Sequence, residues 1–213
     1  MSAGRRIGPV RSASSKWPRR LPALVCAAAA TSLLQGCFPV LVAGIVGTAV
    51  VATDRRSPGT QADDGTISVK VEGRIGERLG DKAHVGAMTY SRRVLLTGEV
   101  PTQTAKDEAG KIAASVENVA GVANELTVGP PSSLSSRSND ALISTKVKAS
   151  LVDAKDVFAN SCRVTTQQGT VYLMGRVTPR EGDRAAEIAR GVSGVVKVVK
   201  IFDYVSENDL KRM

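Results

Sequence analysis

The chain has 213 residues, enough for one medium domain or two small ones, and only 3 % are aromatic, so a core must come from Val, Ile, Leu and Ala. The formal charge is +9, but Arg5, Arg6, Arg11, Lys16, Arg19 and Arg20 sit in an acid-free stretch of 36 residues, and the remainder of the chain carries only about +3. This excludes a groove that neutralises many phosphates, hence a nucleic-acid binder, and leaves a mild attraction to anionic surfaces.

Residues 1–36 read as an export signal. A basic region ends at Arg20, and the apolar run "LPALVCAAAATSLL" leads into Leu34-Gln35-Gly36-Cys37. This stretch resembles the lipobox of bacterial lipoproteins, which implies thiol acylation and cleavage before the cysteine; Gly36 is the small residue at the cut and Leu34 the apolar residue three before the cysteine. The alternative is a transmembrane helix, because residues 21–53 contain no charge and are long enough to span. Against it, Gly36 and Pro39 interrupt the stretch. Several acyl chains on Cys37 would anchor the protein stably, at roughly 0.8 kcal/mol per buried methylene. With Cys26 removed with the signal and Cys37 alkylated, Cys162 is left alone; no intrachain disulfide is expected, and Cys162 reads as a small buried hydrophobe.

Residues 37–65 comprise Cys37, the apolar "FPVLVAGIVGTAVVAT", and a polar linker, "DRRSPGTQADDGT", that runs on to Thr66. A second linker, "GPPSSLSSRSN", covers about residues 129–138. Between and after them lie two similar segments, 66–128 and 139–205, and then a tail, 206–213. Ile67, Val71 and Ile75 align with Ile143, Val147 and Leu151, the i, i+4, i+8 stripe of an amphipathic helix. "VLLTGEV" (94–100) aligns with "VYLMGRV" (171–177), Gly98 on Gly175, and these glycines are read as serving backbone geometry. Helical stretches come next at Thr102–Val116 and Arg180–Val192, and each copy closes with a strand. The order helix, strand, strand, helix, strand therefore occurs twice. The second hairpin turns at Gln168-Gly169 and the first at Ser91-Arg92-Arg93, without glycine. Two helices on one face of a three-stranded sheet make a small α+β domain.

This order, with "LLQGC" (33–37), "DRRSPGTQADDGT", "SNDALISTKVKASL" (138–151) and "GTVYLMGRVTPREGDRAAEIARGVSGV" (169–195), resembles the BON domain, an αββαβ module of bacterial envelope proteins. It is most similar to the dual-BON-domain outer-membrane lipoproteins associated with division and envelope stress. The resemblance implies a lipoprotein signal peptide, diacylglycerol and an N-acyl group on Cys37 with no other cofactor, and a lipid-anchored position on the outer membrane facing the periplasm. Phe38, rather than Asp, after the cysteine favours outer-membrane sorting. It further implies binding of anionic phospholipid by the second domain and a role in envelope integrity.

Nothing in the sequence assembles into catalytic machinery. His84 is the only histidine, no Cys/His cluster has metal-ligand spacing, and "GIVGTAV" lacks the lysine of a phosphate loop. Asp63 and Asp64 read as initiating the helix after them, and Ser138 or Asp140 as capping the helix that opens the second domain. Off the core stripe of that helix lies Leu142, with Lys146 one turn on and Lys148 on another exposed face. An exposed Leu among lysines is a small membrane wedge: Leu enters the acyl boundary and lysines meet phosphates. The first domain has Thr66 at the position of Leu142 and Lys70 at that of Lys146, and so lacks the wedge. Two functions remain open: a module that binds an anionic phospholipid membrane, or a scaffold that docks an envelope protein partner.

Overall fold

The computed structural model describes residues 54–154 and 159–210. In the first domain, α1 (Pro58–Leu79) and a 3-10 turn lead into the hairpin β1 (His84–Tyr90) and β2 (Arg93–Val100); α2 (Gln103–Ala114) then crosses to β3 (Gly121–Asn124) and β4 (Thr127–Val128). The second domain repeats this with α3 (Leu134–Asp153), β5 (Cys162–Gln167), β6 (Thr170–Val177), α4 (Pro179–Arg190) and β7 (Lys197–Tyr204), and ends in a short helix, α5 (Glu207–Leu210). In each sheet the second strand is central, antiparallel to its hairpin partner and parallel to the strand after the crossover helix. A parallel pair cannot be closed by a tight turn, and α2 and α4 provide the crossover.

The stripe residues Ile67, Val71 and Ile75 meet Val94, Leu96 and Val100 of β2 and three alanines of α2, Ala105, Ala109 and Ala113. The second core repeats the plan with Ile143, Val147 and Leu151, Val171, Leu173 and Val177, and Ala185, Ala186 and Ala189. Alanine on the crossover helix brings its backbone close to the sheet, so a full core forms with few aromatics. The helix-free faces of the two sheets are covered by each other: Tyr90 and Leu95 join Tyr172 and Met174 in a third cluster. This explains why "VLLTGEV" and "VYLMGRV" lack in-out alternation, since both faces of β2 and β6 are buried.

Parts of both segments read as linkers are helical. Residues 58–65 open α1 and residues 134–138 open α3. The caps are Ser57, whose hydroxyl accepts from the Thr60 N–H, and Ser133, which accepts from Ser136. Neither Ser138 nor Asp140 caps α3, and Asp64 does not initiate α1. Instead, Asp64 and Asp140 are buried at equivalent places and hold the hairpin turns. The Asp64 carboxylate accepts from the amides of Ser91 (2.8 Å) and Arg92 (2.7 Å). Asp140 accepts from those of Gln168 and Gly169, both at 2.9 Å. Each turn has two successive positive-φ residues, 47° and 67° in the first and 50° and 72° in the second. Two charge-assisted bonds from a neighbouring helix thus hold Arg92 where the other turn uses glycine.

The closing strand of the first domain is split, whereas its counterpart β7 is continuous. The register of β2 against β3 and β4 is unshifted across the gap. The gap lies opposite Thr97 and Gly98; Gly98 takes a φ of +117° while both residues stay paired with β1.

Candidate membrane-contact face and interdomain clamp

The buried stripe of α3 is Asp140, Ile143, Val147 and Leu151. At about 100° per residue, the opposite face carries Leu134, Ser138, Leu142, Thr145, Ala149 and Val152. All six are exposed and none is charged; Leu134 is 76 % accessible, Leu142 60 % and Val152 66 %. Lys146 lies on one flank and Lys148 on the other, both exposed. Leu142 and the two lysines therefore belong to one surface, and Leu134 and Val152, which sequence reasoning does not single out, extend it along the helix. The signal that could have found them is the start of α3 at Leu134, hidden by the linker-like composition around it. Cys37 lies outside the described residues. Among the described residues, no helix is long and apolar enough to cross a membrane.

A second cluster joins the domains. Arg55 donates from one guanidinium nitrogen to Glu181 Oε1 at 2.7 Å and from the other to Glu181 Oε2 at 2.9 Å, and it also reaches the Arg176 carbonyl at 2.8 Å. Arg56 turns the other way. It donates to Asp64 at 2.8 Å and to Asp54 at 2.6 Å, and stacks 4.2 Å over the Tyr90 ring. Adjacent arginines thus bind one domain each. The Arg55 guanidinium holds the Glu181 carboxyl below the usual carboxylate range, and Glu181 in turn raises Arg55. Glu181 also completes a capping box with Thr178 at the start of α4, legible in the sequence as Thr-Pro-Arg-Glu.

At another edge, buried Glu99 accepts from the side chains of Gln167 (2.6 Å) and Gln168 (2.9 Å) of the second domain. Burial opposes its charge, but hydrogen bonding from Ser132, Gln167 and Gln168 outweighs it and keeps the carboxyl low. His84 Nδ1 stands 3.6 Å from the other Glu99 oxygen. Cys162 is buried, and burial together with nearby Glu181 pushes its thiol up to about 12, unsuited to nucleophilic chemistry. Among the described residues, no three His, Cys, Asp or Glu side chains are grouped to hold a metal. A Cβ on Gly98 would lie 1.9 Å from the His84 carbonyl oxygen, and one on Gly175 2.1 Å from that of Ser161. Both glycines let a backbone carbonyl press onto the central strand.

The BON domain model matches residues 63–130 and 139–205. The chain is 42 % identical over 178 residues to outer membrane lipoprotein DolP of Haemophilus influenzae, covering 83 % of this chain and 92 % of that protein. It is 36 % identical to the 21 kDa hemolysin of Actinobacillus pleuropneumoniae, covering 71 % and 79 % of the two chains. To osmotically-inducible protein Y of Escherichia coli it is 31 % identical, covering 72 % and 74 %. Two copies of the fold, two matches to the domain model and this extent of identity place the chain in the BON-domain family, as a dual-domain outer-membrane lipoprotein.

Proposed function

We propose that the protein is a non-catalytic lipoprotein, anchored through acylated Cys37, whose second BON domain binds anionic phospholipid and thereby supports outer-membrane integrity. The observation that carries this reading is the α3 face: an uncharged stripe opposite the core, with exposed Leu134, Leu142 and Val152, flanked by Lys146 and Lys148. Such a face buries its apolar side chains at the acyl boundary while each lysine adds about 1 kcal/mol near an anionic surface. The test is co-sedimentation of residues 54–213, checked for folding by circular dichroism, with phosphatidylglycerol or phosphatidylcholine vesicles. Selective, salt-sensitive binding to the anionic vesicles, lost in Leu142→Asp, is expected. Absence of binding in the wild-type body would overturn the reading and favour a scaffold for an envelope protein partner. Mass spectrometry of the mature N-terminal peptide tests the anchor: the acyl groups should be found on Cys37 and absent from Cys37→Ser.

A further inference from the structure

We infer that a cavity of about 310 Å³ between the end of α3, the start of β5 and the first turn of α1 holds the phosphate group of a single anionic glycerophospholipid. The inference rests on the lipid-binding reading and gives it a defined site. The volume lies at the lower end of small-ligand sites.

Lys148 of α3 and Arg163 of β5 line the cavity from separate elements. Among the described residues, neither forms an ion pair or hydrogen bond. Arg176, Arg180 and Lys200 of the same domain all have carboxylate partners. An anion in the cavity would meet a positive charge from each of two elements. Asp54 also lines the cavity, but Arg56 occupies both of its oxygens: the Arg56 amide and Nε donate to one and a terminal guanidinium nitrogen to the other. Gln61 supplies a further polar group from α1.

The rest of the lining separates a lipid from a free ion. Leu151 and Val152 give the cavity an apolar side, and Val152 also ends the exposed stripe of α3, so the cavity opens directly beside the proposed membrane face. A phosphate between Lys148 and Arg163 would leave its acyl chains along that stripe. The described chain begins at Asp54 in the cavity wall, 17 positions after Cys37. At most that segment reaches about 60 Å, so an anchor at Cys37 would leave the cavity within that distance of a bilayer surface.

The test is native mass spectrometry of the mature lipoprotein in an uncharged detergent, with added phosphatidylglycerol, phosphatidylcholine or inorganic phosphate. Wild type should retain one saturable phosphatidylglycerol adduct. The double variant K148Q/R163Q should bind it at least tenfold more weakly, whereas the charge-preserving K148R/R163K should retain it. Leu142→Asp should keep the adduct while losing vesicle association. An adduct within twofold of wild type in K148Q/R163Q would overturn the cavity assignment and leave the α3 face standing. Equal retention of phosphatidylcholine would overturn anionic selectivity, and equal binding of inorganic phosphate would overturn the lipid as its source. Loss of both the adduct and vesicle association in the wild-type protein would overturn the cavity and the lipid reading together.

Discussion

The first helices of the two domains share a core and differ on the opposite face. Where α3 presents Leu134, Leu142 and Val152, α1 has Pro58, Thr66 and Gly76. Where α3 has Lys148, α1 has Glu72, whose carboxylate accepts from the Ala87 amide on the edge strand β1. Outside its core stripe, α1 balances Lys70, Arg74 and Arg78 against Asp63, Glu72 and Glu77. On α3, Arg137, Lys146 and Lys148 face only Asp153, because Asp140 is buried and committed to the turn. One duplicated fold thus carries a charge-balanced face with exposed Val69 and a basic face with exposed Leu134, Leu142 and Val152, and the difference lies in side chains that contribute nothing to the core. Duplication keeps the core because any change there costs stability; the solvent faces are free to diverge.

The largest expected effect tests how far the backbone plan is shared. Gly98→Ala and Gly175→Ala each force a Cβ into a carbonyl oxygen and should destabilise by about 4 kcal/mol or more. Gly98→Ala should be the more damaging, because Gly98 alone of the two also has positive φ. Denaturant unfolding with equal losses for the two variants would show that φ adds nothing to the clash.

Next come the bonds that couple the halves. Arg55→Ala leaves the Glu181 carboxylate buried without its partner and should cost about 3 kcal/mol. Adding Glu181→Gln should cost little more, as for any pair that acts as a unit. The same bond sets a pH dependence. The Glu181 and Glu99 carboxyls are both held below their ordinary value of 4.5, so the folded protein binds fewer protons than the unfolded chain in that range. Their contribution is complete above the ordinary value and is lost as the pH falls through the depressed one. Thermal melts should show stability falling below about pH 4.5, less steeply in Arg55→Ala, where the main cause of the Glu181 shift is gone.

The crossover helices differ by a smaller amount. Thr178 caps α4 in a reciprocal box with Glu181, whereas Thr102 caps α2 through a single bond from the Ala105 amide. Thr178→Ala should cost about 1.5 kcal/mol and Thr102→Ala about 0.7 kcal/mol. Reversal of that order in chemical denaturation would show that the box adds nothing. The smallest effect is a gain: Thr66→Leu with Glu72→Lys, placed in the Leu142→Asp body, should restore weak association with anionic vesicles. No gain would mean that the stripe requires the length of α3 from Leu134 to Val152.

Much of the fold is legible in the sequence because periodicity reports directly on burial. Ile67, Val71 and Ile75 at four-residue spacing fit a helix face, and their recurrence at Ile143, Val147 and Leu151 exposes the duplication. The starts of α1 and α3 are hidden because Pro-Gly-Thr and Leu-Ser-Ser carry turn-forming composition, yet Pro is favourable in a first helical turn and Ser133 caps α3. The roles of Asp64 and Asp140 are hidden for a related reason: an acid near a helix start reads as a dipole partner until the hairpin that receives it is in place. Leu142, Lys146 and Lys148 are legible as exposed, since burial is set by the stripe opposite them.

By itself, then, the sequence determined the repeat, the αββαβ order, the core stripes of α1 and α3 and the exposure of Leu142, Lys146 and Lys148, because local spacing and its recurrence report on burial. Only the tertiary structure decided that the two sheets cover each other, that Arg55 and Arg56 each bind a different domain, that Glu99 takes its partners from Gln167 and Gln168, and that Lys148 and Arg163 share a cavity. These contacts join residues far apart along the chain. A guanidinium or carboxylate has no periodicity, so its partner is fixed by where packing brings the backbone and not by any local pattern.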